Sequence, residues 1–486
     1  MRVCLINPTE ERILQANLPK EIEGVRGKNQ PIGLMYIAAA ARQVPGVDVR
    51  IIDAHAADMT MPMLAKAVAD YQPDVIGLTC ITFNMPDVMD CVAAARQGAP
   101  KAKIYLGGMQ PYLYPEETIA LSQIDGLFLG EAEYSFPAFL KDYEDWDALL
   151  SMPGLMIKRE DGSIFNTGLA PMVQELDVLP MPAFDLLTPE PYCSVITDDS
   201  PTVNMLTSRG CPFQCKFCSH SITGKGYRFH SPERVVEEMI VAKNLGYRSV
   251  LFYDEVFTVR RQRVFDLCDQ INAAGLGMSW LARGTINTVD DEMMEAMKNA
   301  GCETVTFGVE SGSERILKRM NRPVKDRPKI KQMFRSAQKM GLKTLAYMMV
   351  GNPDETVEDV EESLALLKEL DPDHVHVSVF VAYPATEFYE EGVKRGLYGG
   401  DIWREYSANP FMPFEVPTWP EAPPTDVLFG LTRKIYRRFY FRPKKIWQHL
   451  RSITTWQGVK RRLSYLPALL PSWITSLRVG QPAKAS

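Results

Sequence analysis

Short apolar runs alternating with helix-length segments constrain this chain more than any other feature. Residues 3–6, 47–52, 75–79, 103–107 and 126–129 read as strands. Residues 33–42, 61–70, 85–97, 115–122 and 134–141 read as helices. Strands spaced in this way cannot pair as tight hairpins. They predict a parallel, doubly wound α/β sheet over residues 1–141. Such a sheet binds ligands at the carboxyl ends of its strands.

Those ends have a distinctive composition. The third strand runs into Thr79-Cys80-Ile81-Thr82, the fourth into Gly107-Gly108, and the fifth into Gly130-Glu131-Ala132-Glu133. Paired glycines let backbone approach a ligand closely, although they also suit a plain tight turn. No GxGxxG follows the first strand, so nothing supports a dinucleotide site. Residues 142–200 read as a linker containing a β-hairpin that turns at Asp161-Gly162. Leu179-Pro180-Met181-Pro182 then reads as extended chain.

Three cysteines follow an apolar strand at residues 203–206. They stand in Thr207-Ser208-Arg209-Gly210-Cys211-Pro212-Phe213-Gln214-Cys215-Lys216-Phe217-Cys218. Gly210 and Pro212 make this stretch a loop. Thiolates suit an iron–sulfur cluster, and three of them leave one iron of a four-iron cluster open to chemistry. A zinc site completed by His220 or Cys193 is the alternative, but zinc ligands usually come as CxxC pairs.

This segment resembles the signature of radical S-adenosylmethionine enzymes, and the resemblance extends over residues 202–389. Further strands end in Tyr253-Asp254-Glu255, Arg283, Gly308-Val309-Glu310-Ser311-Gly312, Gly351-Asn352-Pro353-Asp354-Glu355 and Tyr383-Pro384. The family implies a partial six-stranded (β/α) TIM-like barrel over residues 201–395. It implies that Cys211, Cys215 and Cys218 hold a [4Fe-4S] cluster. The open iron would chelate S-adenosylmethionine, whose reductive cleavage yields a 5′-deoxyadenosyl radical. Phe217, Asp254, Glu255, Arg283, Glu310 and Gly351 would then line the S-adenosylmethionine site. Asp254 and Glu255 would meet the amino group, Glu310 the ribose and Arg283 the carboxylate.

A Rossmann-like sheet ahead of such a barrel is similar to cobalamin-binding members of this family. Pro31-Ile32-Gly33-Leu34 fits that group, as do Thr79, Thr82, Gly107, Gly108, Gly130 and Glu131, the expected cobalamin contacts. The DxHxxG motif is missing: Asn7-Pro8-Thr9-Glu10 follows the first strand, and His55 follows the second. Histidine is therefore not the expected lower cobalt ligand. The group implies C-methylation of a hydrophobic or secondary-metabolite substrate, or else ring closure as in the porphyrin ester cyclase. A non-catalytic cobalamin or cluster carrier is the alternative from another class. The chemistry calls for an external one-electron reductant of flavodoxin or ferredoxin type.

Charge divides the chain unevenly. Of the 54 basic residues, 13 lie beyond residue 426, where there is no Asp or Glu. The first 426 residues hold 41 basic against 60 acidic groups, a net of −19. Residues 396–486 thus read as a basic helical region. Leu428, Leu431, Ile435 and Phe439 share one face, and Pro443 can start a second helix with Ile446, Trp447 and Leu450. Packing on the acidic body, peripheral contact with an anionic membrane, and nucleic-acid binding are the readings, in that order. The start resembles a buried strand rather than an export signal, and no run is long enough to span a bilayer. Nine cysteines, an odd and sparse set, point to a reducing cytoplasm.

Overall fold

The computed structural model describes residues 1–14, 27–194, 196–197, 200–219 and 223–445. The first sheet contains β1 (Arg2–Asn7), β2 (Asp48–Asp53), β3 (Val75–Thr79), β4 (Lys103–Gly107), β5 (Gly126–Phe128), β6 (Leu155–Lys158) and β7 (Ile164–Asn166). Their order is β2-β1-β3-β4-β5-β6-β7. The first five are parallel; β1, β3, β4 and β5 are mostly apolar, as strands covered on both faces must be, while the edge strand β2 exposes Asp48 and Arg50. The hairpin β6–β7 adds antiparallel to β5. The sheet therefore runs past residue 141 into the stretch read as a linker. Leu155, Met156 and Ile157 are buried there and cover what would otherwise be an exposed edge of β5.

The second sheet contains β8 (Thr202–Met205), β11 (Ser249–Phe252), β12 (Ser279–Gly284), β13 (Cys302–Glu310), β14 (Lys343–Val350) and β15 (His374–Val379). The order is β15-β14-β13-β12-β11-β8, parallel throughout. This is the expected partial barrel. Val305, Phe307 and Val309 of β13 join the core under the helices. Strand alternation turns Thr304, Thr306, Gly308 and Glu310 to the inner face.

An open barrel has two edges, and each is sealed from outside the barrel. At β8, Gln30 donates from Nε2 to the Thr202 carbonyl (3.0 Å) and accepts the Asn204 N–H at Oε1 (2.9 Å). At β15, the Val377 N–H donates to the Tyr436 hydroxyl (2.9 Å) and the Val375 N–H to that of Tyr440 (3.3 Å). Side chains thus stand in for missing neighbour strands.

Both tyrosines belong to the helix Thr425–Tyr440, which buries Leu428, Leu431, Ile435 and Phe439. Lys434 and Arg438 pair with Glu361, and Arg442, Lys444 and Lys445 pair with Asp371. Up to residue 445, the apolar face and much of the basic charge are used within the protein, as the packing reading expects for this helix. Ile446, Trp447 and Leu450 lie outside the described residues. Among the described residues no helix is long and apolar enough to cross a membrane.

Candidate active site

The cysteines sit on a hairpin at the mouth of the barrel. Its base is formed by β9 (Ser208–Arg209) and β10 (Arg228–Phe229), paired antiparallel with Arg209 opposite Arg228. Gly210 has φ +89, and a Cβ there would lie 1.9 Å from the Gly226 carbonyl oxygen. Only glycine lets the hairpin pinch this tightly. The far side of the loop is tied to the segment after β13. Lys216 N–H donates to the Met320 carbonyl (3.0 Å), and Asn321 Nδ2 donates to that of Gln214 (2.8 Å).

The three thiols influence one another. Partial desolvation, then the charges of Cys215 and Cys211 and that of Glu255, push the Cys218 thiol up to about 12, though one side of the residue is open to solvent. Burial, followed by Cys215 and Glu255, raises Cys211. Such a donor set ionises together only around a compensating cation, as metal ligation provides. Among the described residues, no three His, Cys, Asp or Glu side chains converge on one ion's position. Cys193 lies elsewhere, with its N–H on the Lys28 carbonyl, and His220 is outside the described residues.

Beside the thiols lies a buried pair that connects them to β13. Arg322 donates from Nη1 to Cys215 Sγ (3.2 Å), and its Nη2 is 3.7 Å from Glu310 Oε1. Glu310 has φ +65 at a register shift between β13 and β14, a bulge that re-aims its side chain. Desolvation raises its carboxyl, and Arg322 pulls it back. Phe217 stacks beneath this guanidinium, 5.9 Å from ring centre. Arg322 was not foreseen from the sequence. Its signal was the turn Asn321-Arg322-Pro323, where Asn321 takes φ +54.

The remaining expected residues divide. Glu255 is exposed and close enough to Cys211 and Cys218 to affect both. Arg283 lies 4.4 Å from the Tyr253 ring centre on the inner wall. Asp254 is used differently from the expectation of a cofactor ligand. It is fully buried and accepts from Thr207 N–H (2.7 Å), Thr207 Oγ1 (2.6 Å) and Ser208 Oγ (2.5 Å). Those bonds occupy its carboxylate in bracing the hairpin. Gly351, at φ +81, donates to Glu355 Oε2 (2.6 Å), and Leu428 of the C-terminal helix fills the space a side chain there would take.

On the first sheet, the ends of β3, β4 and β5 form a rim largely free of side chains. Gly108 has φ +106, and a Cβ would meet the Cys80 carbonyl oxygen at 2.7 Å. Thr79, Gly107 and Gly130 are half-buried along this rim. Thr82 Oγ1 is buried there with no hydrogen-bond partner among the described residues, an acceptor and donor suited to a polar ligand group. Residues 9–12 after β1 are held by Asp87, which accepts from Thr9 Oγ1 (3.0 Å), Glu11 N–H (3.0 Å) and Arg12 N–H (2.9 Å). The rim suits a corrinoid approached by backbone without a histidine ligand. Glu131 departs from the expected cobalamin contact: it turns away from the rim and binds Arg209 and Arg228.

Comparisons with known proteins bear on the family and fold of both parts of the chain. Residues 205–367 match the Radical SAM superfamily and residues 22–140 the B12 binding domain. The chain is 34% identical over 448 residues to an uncharacterized methyltransferase of Pyrococcus horikoshii, covering 91% of this chain and 93% of the relative. It is 24% identical over 451 residues to the anaerobic magnesium-protoporphyrin IX monomethyl ester cyclase of Rubrivivax gelatinosus, covering 90% of this chain and 77% of that one. Its fold is similar to the radical S-adenosylmethionine methyltransferase TsrM of Kitasatospora setae, solved with cobalamin and a [4Fe-4S] cluster bound. That likeness has TM-score 0.66 at 17% identity and covers 81% of this chain and 78% of that one.

Proposed function

The chain belongs to the radical S-adenosylmethionine superfamily, with a B12 binding domain ahead of the radical core, and we propose that it is a cobalamin-dependent C-methyltransferase acting on a small molecule. The observation that carries this reading is the Glu310–Arg322 pair set against the Cys215 sulfur. A mere carrier of a cluster or corrinoid has no use for a buried carboxylate–guanidinium pair whose cation reaches one thiol.

Cys211, Cys215 and Cys218 would hold the cluster, and Thr79, Thr82, Gly107, Gly108 and Gly130 would hold the corrinoid. When bound, the cluster supplies the electron that opens the sulfonium of S-adenosylmethionine, and the corrinoid carries the methyl group. The protein's own groups orient and shield. Glu310 accepts from ribose hydroxyls, and its burial keeps competing water away. Arg322 and Arg283 are the cations at hand for the α-carboxylate. Glu255 meets the α-amino group, and Phe217 closes the wall beside the third thiol. Gly351 keeps the turn after β14 narrow.

A hydrophobic substrate entering the barrel mouth fits this arrangement, as does an external one-electron reductant of flavodoxin or ferredoxin type. Nine unpaired thiols support a reducing cytoplasm. A second reading, ring closure without methyl transfer, is favoured by the likeness to the magnesium-protoporphyrin ester cyclase. Anaerobic protein given dithionite and methyl-labelled S-adenosylmethionine separates the readings. Methyltransferase chemistry releases 5′-deoxyadenosine and labels the bound corrinoid. Release without corrinoid labelling leaves the cyclase reading, and no release at all leaves the carrier.

A further inference from the structure

Four buried charged groups join the two sheets at the root of the cysteine hairpin, and the site described above uses none of them. Glu131 and Glu133 follow β5, two positions apart, in the loop that begins at Gly130. Arg209 and Arg228 face each other across the hairpin base. Arg209 reaches both acids, with Nη1 on Glu131 Oε1 (3.1 Å) and Nη2 on Glu133 Oε1 (2.6 Å). Arg228 grips Glu131 with two nitrogens, at 2.7 and 2.8 Å. The side chains of Glu131 and Arg209 are only 4% and 8% exposed. The quartet is balanced, two acids against two bases, and the Tyr36 ring lies against Arg209 at 5.2 Å.

The location matters more than the strength. Glu131 crosses from β9 to β10, so it closes the hairpin base from the side of the first sheet. Asp254 and Arg263 close it from the barrel side, Arg263 donating to the Thr207 and His230 carbonyls at 2.9 Å each. Arg209 stands two residues before Cys211, and Glu131 follows Gly130 of the glycine rim. The cluster loop and the corrinoid loop are therefore within two residues of a shared, dehydrated ion network. Bidentate arginine–carboxylate contacts fix orientation as well as distance.

We propose that Glu131, Glu133, Arg209 and Arg228 form a positioning clamp that holds the cysteine hairpin and the glycine rim in register, so that the two cofactors face each other at a single separation. This rests on the function proposed above. The clamp keeps radical formation coupled to methyl delivery without touching either cofactor.

The test uses full-length protein reconstituted with iron, sulfide and hydroxocobalamin, then reduced so that both centres are paramagnetic. Pulsed electron paramagnetic resonance reads their separation in wild type, Glu131→Gln and the milder Glu133→Gln. The expected result is iron content and 5′-deoxyadenosine release within about twofold of wild type, with a separation that broadens or lengthens in both variants. An unchanged narrow separation in both variants overturns the clamp. If wild type retains no corrinoid, the cobalamin proposal fails and the clamp is read by hydrogen–deuterium exchange on the cluster-loaded protein. Faster exchange in residues 126–134 and 205–229 together upholds it, and a change confined to one segment overturns it. Glu133→Gln leaves both arginines bonded to Glu131, so it covers the case in which Glu131→Gln does not fold.

Discussion

Arg322 holds a guanidinium nitrogen 3.2 Å from the Cys215 sulfur while its other terminal nitrogen faces Glu310. One side chain thereby links a thiol on the hairpin to a carboxylate at the end of β13. Replacing Arg322 by Gln leaves Glu310 buried without its counter-charge and removes a cation for the cofactor's carboxylate. We expect iron still to be incorporated, with a rise of roughly tenfold to a hundredfold in the S-adenosylmethionine concentration needed for half-maximal 5′-deoxyadenosine release. An unchanged concentration dependence removes Arg322 from the site.

Gly210→Ala places a methyl group against the Gly226 carbonyl oxygen at a backbone angle that L residues avoid. The hairpin must open to admit it. We expect a loss of about 3 kcal/mol or more in stability, with poor iron incorporation, measured by denaturant unfolding and iron analysis.

The pH dependence has a specific source in His230. Burial pushes it down to about 4, against the opposing pull of Asp177, and it accepts from or donates to the Tyr36 hydroxyl at 3.2 Å. A folded-state pKa below the unfolded one means stability is complete above about 6.5 and is lost as pH falls toward 4. Between pH 7.5 and 5 this amounts to about 2 kcal/mol. Nearby Glu238, pushed up to about 7 by burial, has the opposite sign and weakens the fold as pH rises through 7. Comparing wild type with His230→Gln by urea unfolding at both pH values isolates the histidine. The variant should lose about 2 kcal/mol less on acidification, and equal losses contradict the assignment.

The edge of β15 is tested by the double substitution Tyr436→Phe and Tyr440→Phe. It leaves the Val375 and Val377 N–H groups without their hydroxyl partners. We expect about 1 kcal/mol lost per hydrogen bond and faster amide exchange at these two positions, with β13 unchanged. Unchanged exchange shows that the helix seals the edge by apolar packing alone.

Much of this architecture is legible in the sequence because local pattern and global fold agree. The runs at residues 75–79 and 103–107 are strands over those same residues. The thiol spacing marked the cysteine segment as a loop with cluster-like spacing, but the β9–β10 pairing that makes it a hairpin was not legible. Asp254 and Glu131 were less legible. A carboxylate at a strand end looks the same in sequence whether it faces a cofactor or a buried neighbour, and only packing brought Ser208 and Arg228 to them. Arg322 was hidden for a similar reason: its partners are more than a hundred residues upstream and twelve residues upstream, and no periodicity connects them. The basic helix shows the converse. Its amphipathic pattern was plain, but the acidic partners Glu361 and Asp371 that decide its place lie far away in the chain.

The central claim is that one chain holds both an iron–sulfur cluster and a corrinoid. Elemental analysis of protein purified anaerobically from cells supplied with cobalamin tests it most directly. The expected result is about four irons and about one cobalt per chain, with the iron lost and the cobalt kept in Cys215→Ala. Iron without cobalt contradicts the methyltransferase reading, and zinc in place of iron contradicts the whole account.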